Sequence, residues 1–249
     1  MDNILVVENV KKSFGDKTVI QNVDLSLAKG ELISLLGVSG AGKTTLFNCI
    51  SGIDTVDEGR ICLSGEDITG KPGKISYMLQ KDLLLPYKKI IDNVSLPLVL
   101  SGMKKKEARE TADRHFSEFG LDSTQYLYPS QLSGGMRQRA ALLRTYLASN
   151  GVALLDEPFS ALDTITKSAM HKWYLSIMEK INLSTIFITH DIDEAVLLSD
   201  RILILSGNPG KITDTIVIKE PKPRKADFSL TPAFLEYKKQ VIACLGNII

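Results

Sequence analysis

The sequence has few cysteines and no excess of charge of either sign. Cys49, Cys62 and Cys244 are far apart and form no CxxC pair, which argues against a disulfide framework or a zinc site and fits a reducing compartment. Thirty Lys and Arg residues oppose 29 Asp and Glu residues, so no global field draws the protein to nucleic acid or to an acidic membrane surface. We therefore expect no nucleic-acid partner, and any anion must be bound locally.

Long hydrophobic runs are absent as well. No apolar run approaches the roughly 18 residues needed to cross a bilayer, and the start, MDNILVVENV, lacks the basic residues and apolar run of a signal peptide. We therefore expect a protein that is made in the cytoplasm and stays there. Hydrophobic residues make up 44% of the 249 residues and charged residues 24%, which is typical of a soluble domain with a real core.

Short apolar runs indicate an α/β fold. ILVVENV (4–10) and VIQNVDLSL (19–27) alternate in part and flank a turn, which predicts an antiparallel β region at the N-terminus. Later runs are mostly apolar and suit strands buried on both faces of a mainly parallel sheet. These runs are ELISLLG (31–37), GVALLDEP (151–158), STIFITH (184–190) and RILILSG (201–207).

We expect a single domain, 1–249, built from three parts. Residues 1–85 and 150–210 would form the β subdomain and the core of the sheet. The pattern between 86 and 149 indicates helices, so we interpret it as an inserted helical subdomain. Residues 211–249 are first rich in Pro and Lys and then helical in pattern, and we interpret them as a C-terminal extension.

The segment GVSGAGKTT has the pattern GxxxxGK[ST] and lies between a predicted strand and an apolar helix start. Its glycines permit positive φ angles, with which successive N–H groups form a nest for phosphate at a helix N-terminus. Lys43 would reach the β- and γ-phosphates, and the Thr44 hydroxyl would hold Mg²⁺. The alternative is a glycine-rich turn with a surface lysine. The predicted nucleotide-binding residues here are Gly37, Val38, Ser39, Gly40, Ala41, Gly42, Lys43, Thr44 and Thr45.

Acidic residues follow the apolar run at 152–155. Asp156 would emerge at the carboxyl edge of a strand, where open α/β sheets bind their ligands. There it could hold magnesium through water or Thr44, and Glu157 could activate the attacking water as a general base. A surface helix cap is the alternative for this pair.

Two further polar residues follow predicted strands. His190 ends STIFITH, and Gln80 follows ISYML. Either residue alone is a weak signal, since a lone histidine is more often structural, but both would lie at the edge of the sheet that carries Asp156. We predict that the catalytic residues are Glu157, His190, Gln80 and Lys43, and that the metal ligands are Thr44, Gln80 and Asp156.

In LSGGMRQR (132–139), two glycines lie between a serine and two arginines, a combination that favours binding of an anion. Ser133 and the amides of Gly134 and Gly135 open a predicted helix and would form a second anion site. One nucleotide cannot easily reach two helix N-termini on distant subdomains of one chain. Two chains related by a two-fold axis would bring the two sites together.

With these motifs in order, the chain resembles the nucleotide-binding subunits of ATP-binding cassette (ABC) transporters over essentially its whole length. The resemblance implies an α/β fold with a P-loop ATPase core, a mainly parallel sheet, an N-terminal antiparallel β subdomain and an inserted helical subdomain. It also implies that LSGGMRQR is the family signature, with Met136 where glutamine is commoner. The signature residues that would contact the nucleotide of the partner subunit are Ser133, Gly134, Gly135 and Gln138.

Further roles are implied by the same resemblance. Phe14 would stack on adenine, although a phenylalanine in an antiparallel strand is core in most proteins. Gln80 would sense the transmembrane partner, and His190 would be the switch histidine. Asp163, in SALD (160–163), would lie at the dimer interface.

The resemblance implies an ATPase that uses ATP and Mg²⁺ to drive solute uptake from the cytoplasmic face of the membrane, where it is bound peripherally. Its partners would be a second copy or a homologous ATPase subunit, integral membrane permease subunits and, indirectly, an extracytoplasmic solute-binding protein.

A narrower resemblance is to one subgroup of importers. The segments DEPFSALDTITK and EPKPR are similar to those of ATPase subunits from importers of nitrate, sulfonates, taurine and thiamine-precursor pyrimidines, although Leu79 and Tyr87 depart from that pattern. The alternatives are an ABC ATPase acting on nucleic acid or ribosomes, and a regulatory module without turnover.

Overall fold

The computed structural model describes residues 3–160, 162–222, 224 and 227–246, so Ala161 of SALD and Pro223 of EPKPR lie outside the described residues. The strands are β1 (Asn3–Phe14), β2 (Lys17–Ala28), β3 (Leu32–Leu36), β4 (Glu58–Leu63), β5 (Glu66–Asp67), β6 (Ser76–Met78), β7 (Val152–Asp156), β8 (Ser184–Ile188), β9 (Arg201–Ser206) and β10 (Lys211–Val217). The helices are α1 (Lys43–Ser51), α2 (Ile90–Val94), α3 (Leu96–Leu100), α4 (Lys105–Asp113), α5 (Gly134–Leu147), α6 (Thr164–Ile181), α7 (Ile192–Leu198) and α8 (Pro232–Gly246). Short 3-10 helices lie at Pro129–Gln131 and Phe228–Leu230.

These strands form two sheets. In the first, β1 pairs antiparallel with both β2 and β4, in the order β2-β1-β4-β5. In the second, of order β10-β9-β3-β8-β7-β6, every neighbouring pair except β10–β9 is parallel. The predicted α/β fold, with an antiparallel N-terminal sheet and a mainly parallel sheet, is confirmed.

Strand β10 was not expected from the sequence, because it lies in the stretch interpreted as rich in Pro and Lys. Its residues alternate between exposed and less exposed positions, as is typical of an edge strand that contacts the core with one face. Beyond it, Ile218, Phe228, Phe234 and Val241 are buried in one core cluster with Ala195 of α7. The residues after 210 are therefore packed into the fold along much of their length.

Helices fill the stretch between β6 and β7, as the glycine stops and charge pattern predict. Gly102 and Gly120 both have positive φ, which suits them to end helical segments. The apolar face of α6 is buried against the sheet and against the helices of this region through Met170 and Tyr174, among others. No helix in the described ranges is both long enough and apolar enough to cross a membrane.

The parallel sheet sets the position of the functional loops. Ile188, at the end of β8, is paired with Leu35 of β3 on one side and with Asp156 of β7 on the other. The carboxyl ends of these three strands are therefore level with one another. The loops that follow them, which carry the glycine-rich segment, Glu157 and His190, leave the same edge of the sheet.

Candidate functional site

The glycine-rich loop connects β3 to α1. Gly40 and Gly42 have φ values of 84° and 95°, a region that strains residues with a side chain. Gly37 differs from the expectation, because its φ is not positive. A Cβ atom there would lie 2.1 Å from the main-chain oxygen of Leu205 in β9, so glycine at 37 permits a close approach between backbones.

The side chain of Lys43 folds back over this loop. Its Nζ donates to the main-chain oxygens of Gly37 at 2.8 Å and of Val38 at 3.1 Å. Burial lowers the pKa of Lys43, and the charges of Glu157 and Asp156 act in the opposite direction. The ammonium group is therefore bound to the loop, and it is near enough to Asp156 and Glu157 for their charges to act on it.

Asp156 is only 9% exposed at the end of β7. Burial, followed by the charge of Glu157, raises the pKa of Asp156, while hydrogen bonds from Tyr77 and Thr44 and the charge of Lys43 partly lower it. The Tyr77 hydroxyl donates to Oδ2 of Asp156 at 3.3 Å. A hard cation beside the Thr44 hydroxyl would offset this buried negative charge.

The donor set at Thr44 and Asp156 fits Mg²⁺ in a nucleotide site. Such an ion usually takes only one or two protein carboxylates and completes its shell with phosphate oxygens and water. A cation here would therefore depend on the nucleotide for most of its ligands.

Glu157 is the point at which the loops after three neighbouring strands converge. Nε2 of Gln80, after β6, donates to Oε2 of Glu157 at 2.9 Å, and Nδ1 of His190, after β8, lies 3.4 Å from Oε1. Glu157 itself has a φ of 46°, which is uncommon for a residue other than glycine and often marks functional strain. These three predicted catalytic residues thus lie in direct contact, through one hydrogen bond and one ion-pair contact, beside an open cavity of about 760 Å³.

The signature segment opens helix α5. The exposed Ser133 is the N-cap, and its Oγ accepts a backbone N–H in the first turn. Gly134 and Gly135 lie against the loop and helix start that carry Asp163: added Cβ atoms would be 3.6 Å from Leu162 and 3.3 Å from Thr166. The signature and the segment predicted for the dimer interface are therefore adjacent in the fold.

Gln138 is located differently from the other predicted signature residues. It is only 5% exposed, and its Oε1 is buried without a hydrogen-bond partner among the described residues. It lies on the buried face of α5 with Leu142, beside the cavity next to Glu157. The contact of Gln138 with a nucleotide on another subunit stays a prediction, and its buried position means that the side chain would have to become more accessible to make that contact.

The two arginines of LSGGMRQR do not form an anion site either. Arg137 donates to the Asp82 carboxylate at 3.2 Å and to the main-chain oxygen of Leu132 at 2.9 Å. The guanidinium of Arg139 lies 4.8 Å from the ring centroid of Trp173, and burial lowers its pKa. Both side chains bind within the chain, so the helix start is the part of the signature that can receive an anion.

Phe14 and Asp163 complete the predicted residues. Phe14 is 51% exposed at the end of β1, and Nζ of Lys12 lies 5.1 Å from its ring centroid. The alternative that Phe14 belongs to the core is therefore wrong. Asp163 caps α6, and its Oδ1 accepts the N–H groups of Ile165 and Thr166, each at 3.1 Å.

A buried polar cluster behind His190 was missed by the sequence reasoning. Glu194, only 3% exposed, accepts a hydrogen bond from Oγ1 of Thr189 at 2.5 Å and lies 2.6 Å from Nζ of Lys167. Burial raises the pKa of Glu194, but hydrogen bonds from His171, Lys167 and Thr189 outweigh this, and the net change is downward. The available signal was an acidic residue in DIDEAVLL, on the face of the helix that carries the apolar positions.

Comparison with known proteins identifies relatives along most of the chain. The family model described as ABC transporter matches residues 20–160. The formylaminopyrimidine import ATP-binding protein ThiZ of Halalkalibacterium halodurans is 45% identical over 207 residues, covering 83% of this chain and 81% of the relative. The aliphatic sulfonates import ATP-binding protein SsuB of Bacillus cereus is 38% identical over 240 residues, covering 95% and 93%.

Solved structures share the architecture. The dimeric structure of a post-hydrolysis state of the ATP-binding cassette MJ0796, bound to ADP and Pi, has a TM-score of 0.72 at 29% identity and covers 86% of this chain and 99% of that one. The structure of CbiO1 from Clostridium perfringens, with a TM-score of 0.80 at 24% identity and coverage of 100% and 98%, has the same fold. The chain therefore belongs to the ABC transporter family, and it is an ABC-type ATPase related to import ATP-binding proteins.

Proposed function

We propose that the chain is the ATP-hydrolysing subunit of an ABC importer and that it couples ATP binding and hydrolysis to solute uptake through a separate permease. The convergence of Gln80 and His190 on Glu157 is the observation that supports hydrolysis, and the similarity to import ATP-binding proteins supports the coupling to uptake. A module that only binds ATP would not need a carboxylate held in this way.

The proposed chemistry assigns one task to each group. The loop amides and Lys43 bind the phosphates and stabilise the charge on the transferred phosphoryl group. Thr44 and Asp156 hold Mg²⁺, which offsets phosphate charge when bound. Glu157 accepts a proton from the attacking water, and the contacts of its two oxygens with Gln80 and His190 orient the carboxylate.

The second half of the site would come from another subunit, either a second copy or a homologous ATPase. In the described residues, no hydrogen bond or ion pair joins positions 133–135 to the loop at 37–45, although both are helix starts suited to phosphate. A two-fold head-to-tail dimer satisfies both segments with one nucleotide. The MJ0796 cassette, whose post-hydrolysis structure is dimeric, supports this arrangement.

For the solute class, we use the relatives of this chain as a guide. Similarity to the ThiZ and SsuB import proteins supports a small organic solute of the formylaminopyrimidine or sulfonate type, with nitrate as a further candidate. The chain would act peripherally at the cytoplasmic face, on integral permease subunits that receive the solute from an extracytoplasmic binding protein. The balanced net charge of +1 supports this role over one on nucleic acid.

A first test is ATP binding and hydrolysis by the purified chain, with Lys43→Ala as the comparison. We expect Mg²⁺-dependent phosphate release by the wild type, and an increase of about 10-fold or more in the Kd for ATP in the variant, because a charge-assisted contact to phosphate is lost. Titration calorimetry and a phosphate-release assay measure the two quantities. An unchanged Kd would contradict the assignment of the loop.

The transport role is tested by affinity purification of the tagged chain from detergent-solubilised membranes. We expect integral permease subunits to copurify, and their reconstitution with the chain to give ATP-driven uptake of a pyrimidine or sulfonate. Copurification of ribosomes or nucleic acid in place of a permease would refute the importer assignment while leaving the ATPase activity in place.

A further inference from the structure

Arg224 is a buried arginine in the stretch after β10. It is only 8% exposed. Its Nη1 donates to the main-chain oxygens of Val196 at 2.9 Å and of Leu197 at 2.5 Å, and its Nη2 donates to that of Ser199. Its Cζ atom also lies 5.6 Å from the ring centroid of Phe228. One guanidinium group thus binds three carbonyl groups at the end of α7.

These carbonyl groups need donors from outside the helix. The last carbonyls of any helix lack an intrahelical partner, and here the amide of Asp200, which would continue the helix by donating to Val196, donates to Leu32 of β3 at 2.7 Å. Arg224 supplies the missing donors, and its positive charge is favourable at a helix C-terminus. Without it, the carbonyls would be left buried and unsatisfied.

The N-terminal end of α7 is fixed next to His190, one of the predicted catalytic residues. Asp191, which directly follows His190, caps the helix with its side chain. Lys167 of α6 binds both Asp191, at 2.7 Å, and Glu194, at 2.6 Å. Glu194 in turn accepts a hydrogen bond from Thr189, the residue before His190. A helix of seven residues is therefore held at both ends, and His190 lies immediately before its N-cap.

The body of α7 is packed on the same C-terminal segment. Ala195 and Val196 are fully buried in a core cluster with Phe228, Phe234 and Val241. Protein interiors are densely packed and transmit displacements between neighbours. A shift of the C-terminal segment would therefore shift α7 and the loop before it.

We propose that Arg224 is a positioning residue for ATP hydrolysis: by fixing the end of α7 it sets the position of His190 relative to Glu157. The inference rests on the role proposed above for His190. Its consequence is that the segment after β10 controls the rate of hydrolysis without contacting ATP. Arg224 acts through the helix and is not itself a catalytic residue.

The experiment compares Arg224→Met with Lys222→Met, a matched loss of one positive charge from the same segment. Nζ of Lys222 binds Asp200 at 2.7 Å and makes no contact with the carbonyls of α7. We expect Arg224→Met to lower kcat by about 10-fold or more, since small displacements of catalytic groups are costly. The KM for ATP should stay within about 2-fold of the wild-type value. The phosphate-binding loop connects β3 to α1 and does not depend on the end of α7 that Arg224 holds. Lys222→Met should keep both values within about 2-fold.

Rates are normalised to titrated ATP sites, so that a loss of folded protein does not count as a loss of kcat. Arg224→Lys, which keeps the charge but not the forked geometry, should restore part of the rate. Equal kcat values for Arg224→Met and Lys222→Met, or a change confined to KM, would overturn the inference.

A double-mutant cycle with His190→Ala separates positioning from general destabilisation. If Arg224 acts through His190, Arg224→Met should change the residual kcat of His190→Ala by less than about 2-fold. If the two effects are independent, Arg224→Met should lower kcat by the same factor in both backgrounds. That result would refute the positioning role of Arg224 and leave the role of His190 in place. Wild-type kcat in His190→Ala would instead refute the role proposed for His190, and an inactive wild type would refute the proposed function itself.

Discussion

Replacing Glu157 by Gln is expected to lower kcat for ATP hydrolysis by about 10²–10⁴-fold, the usual contribution of a general base, while ATP still binds. The amide keeps the size of the side chain but cannot accept the proton of the attacking water. Because the phosphate-binding loop is untouched, the variant should accumulate an ATP-bound dimer that the wild type passes through only briefly. Phosphate release and size-exclusion chromatography with ATP and Mg²⁺ measure these two effects.

Glu66→Gln is a suitable control for Glu157→Gln. Glu66 lies in the short strand β5, where its side chain is 61% exposed and, among the described residues, binds only Lys74, at 3.3 Å. The same chemical change there should leave kcat within about 2-fold, as for most surface substitutions. Hydrolysis by Glu157→Gln at the wild-type rate would show that Glu157 is not the general base. The contacts of Gln80 and His190 with Glu157 would then need another explanation.

Much of the fold is predictable because the central strands are buried on both faces. Strands β3, β7 and β8 are buried at every position, and such strands are apolar along most of their length. Strand β10 could not be recognised in this way, because it exposes Lys211, Thr213 and other polar residues on one face. On its less exposed face Asp214 lies between Ile212 and Ile216, which interrupts the apolar alternation, and its place in the sheet is set by pairing with β9.

In the candidate site too, some features could be predicted from the sequence and others could not. Asp156, Glu157 and His190 could be predicted to lie together, because parallel strands end at one edge of the sheet. Contacts between distant loops could not be predicted. The partner of Arg137 is Asp82, which is 55 residues away, and no local spacing connects the two. The same holds for Arg224, whose acceptors are main-chain oxygens and carry no sequence signal.

Replacing Ser133 by Glu tests whether the second half of the site is supplied by another chain. Ser133 is exposed at the N-terminus of α5, so a longer side chain there has room. Glutamate loses the N-cap hydrogen bond that Oγ of Ser133 accepts, at a cost of about 1 kcal/mol, which the favourable negative charge at the helix start offsets in part. In a head-to-tail dimer the carboxylate would instead face the γ-phosphate bound by the partner and repel it. We expect hydrolysis to fall by about 10²-fold or more, comparable with removal of one donor from a preorganised oxyanion site.

The affinity for ATP distinguishes this variant from Lys43→Ala. The Kd of Ser133→Glu should remain within about 2-fold of the wild type, because the monomer binds ATP through its own loop and positions 133–135 contribute only when two subunits close. The double variant Ser133→Glu with Glu157→Gln should bind ATP and yet remain monomeric in size-exclusion chromatography, whereas Glu157→Gln alone should dimerise. If Ser133→Glu hydrolyses ATP like the wild type, or if the double variant still dimerises with ATP, the signature does not contact the nucleotide of a second subunit.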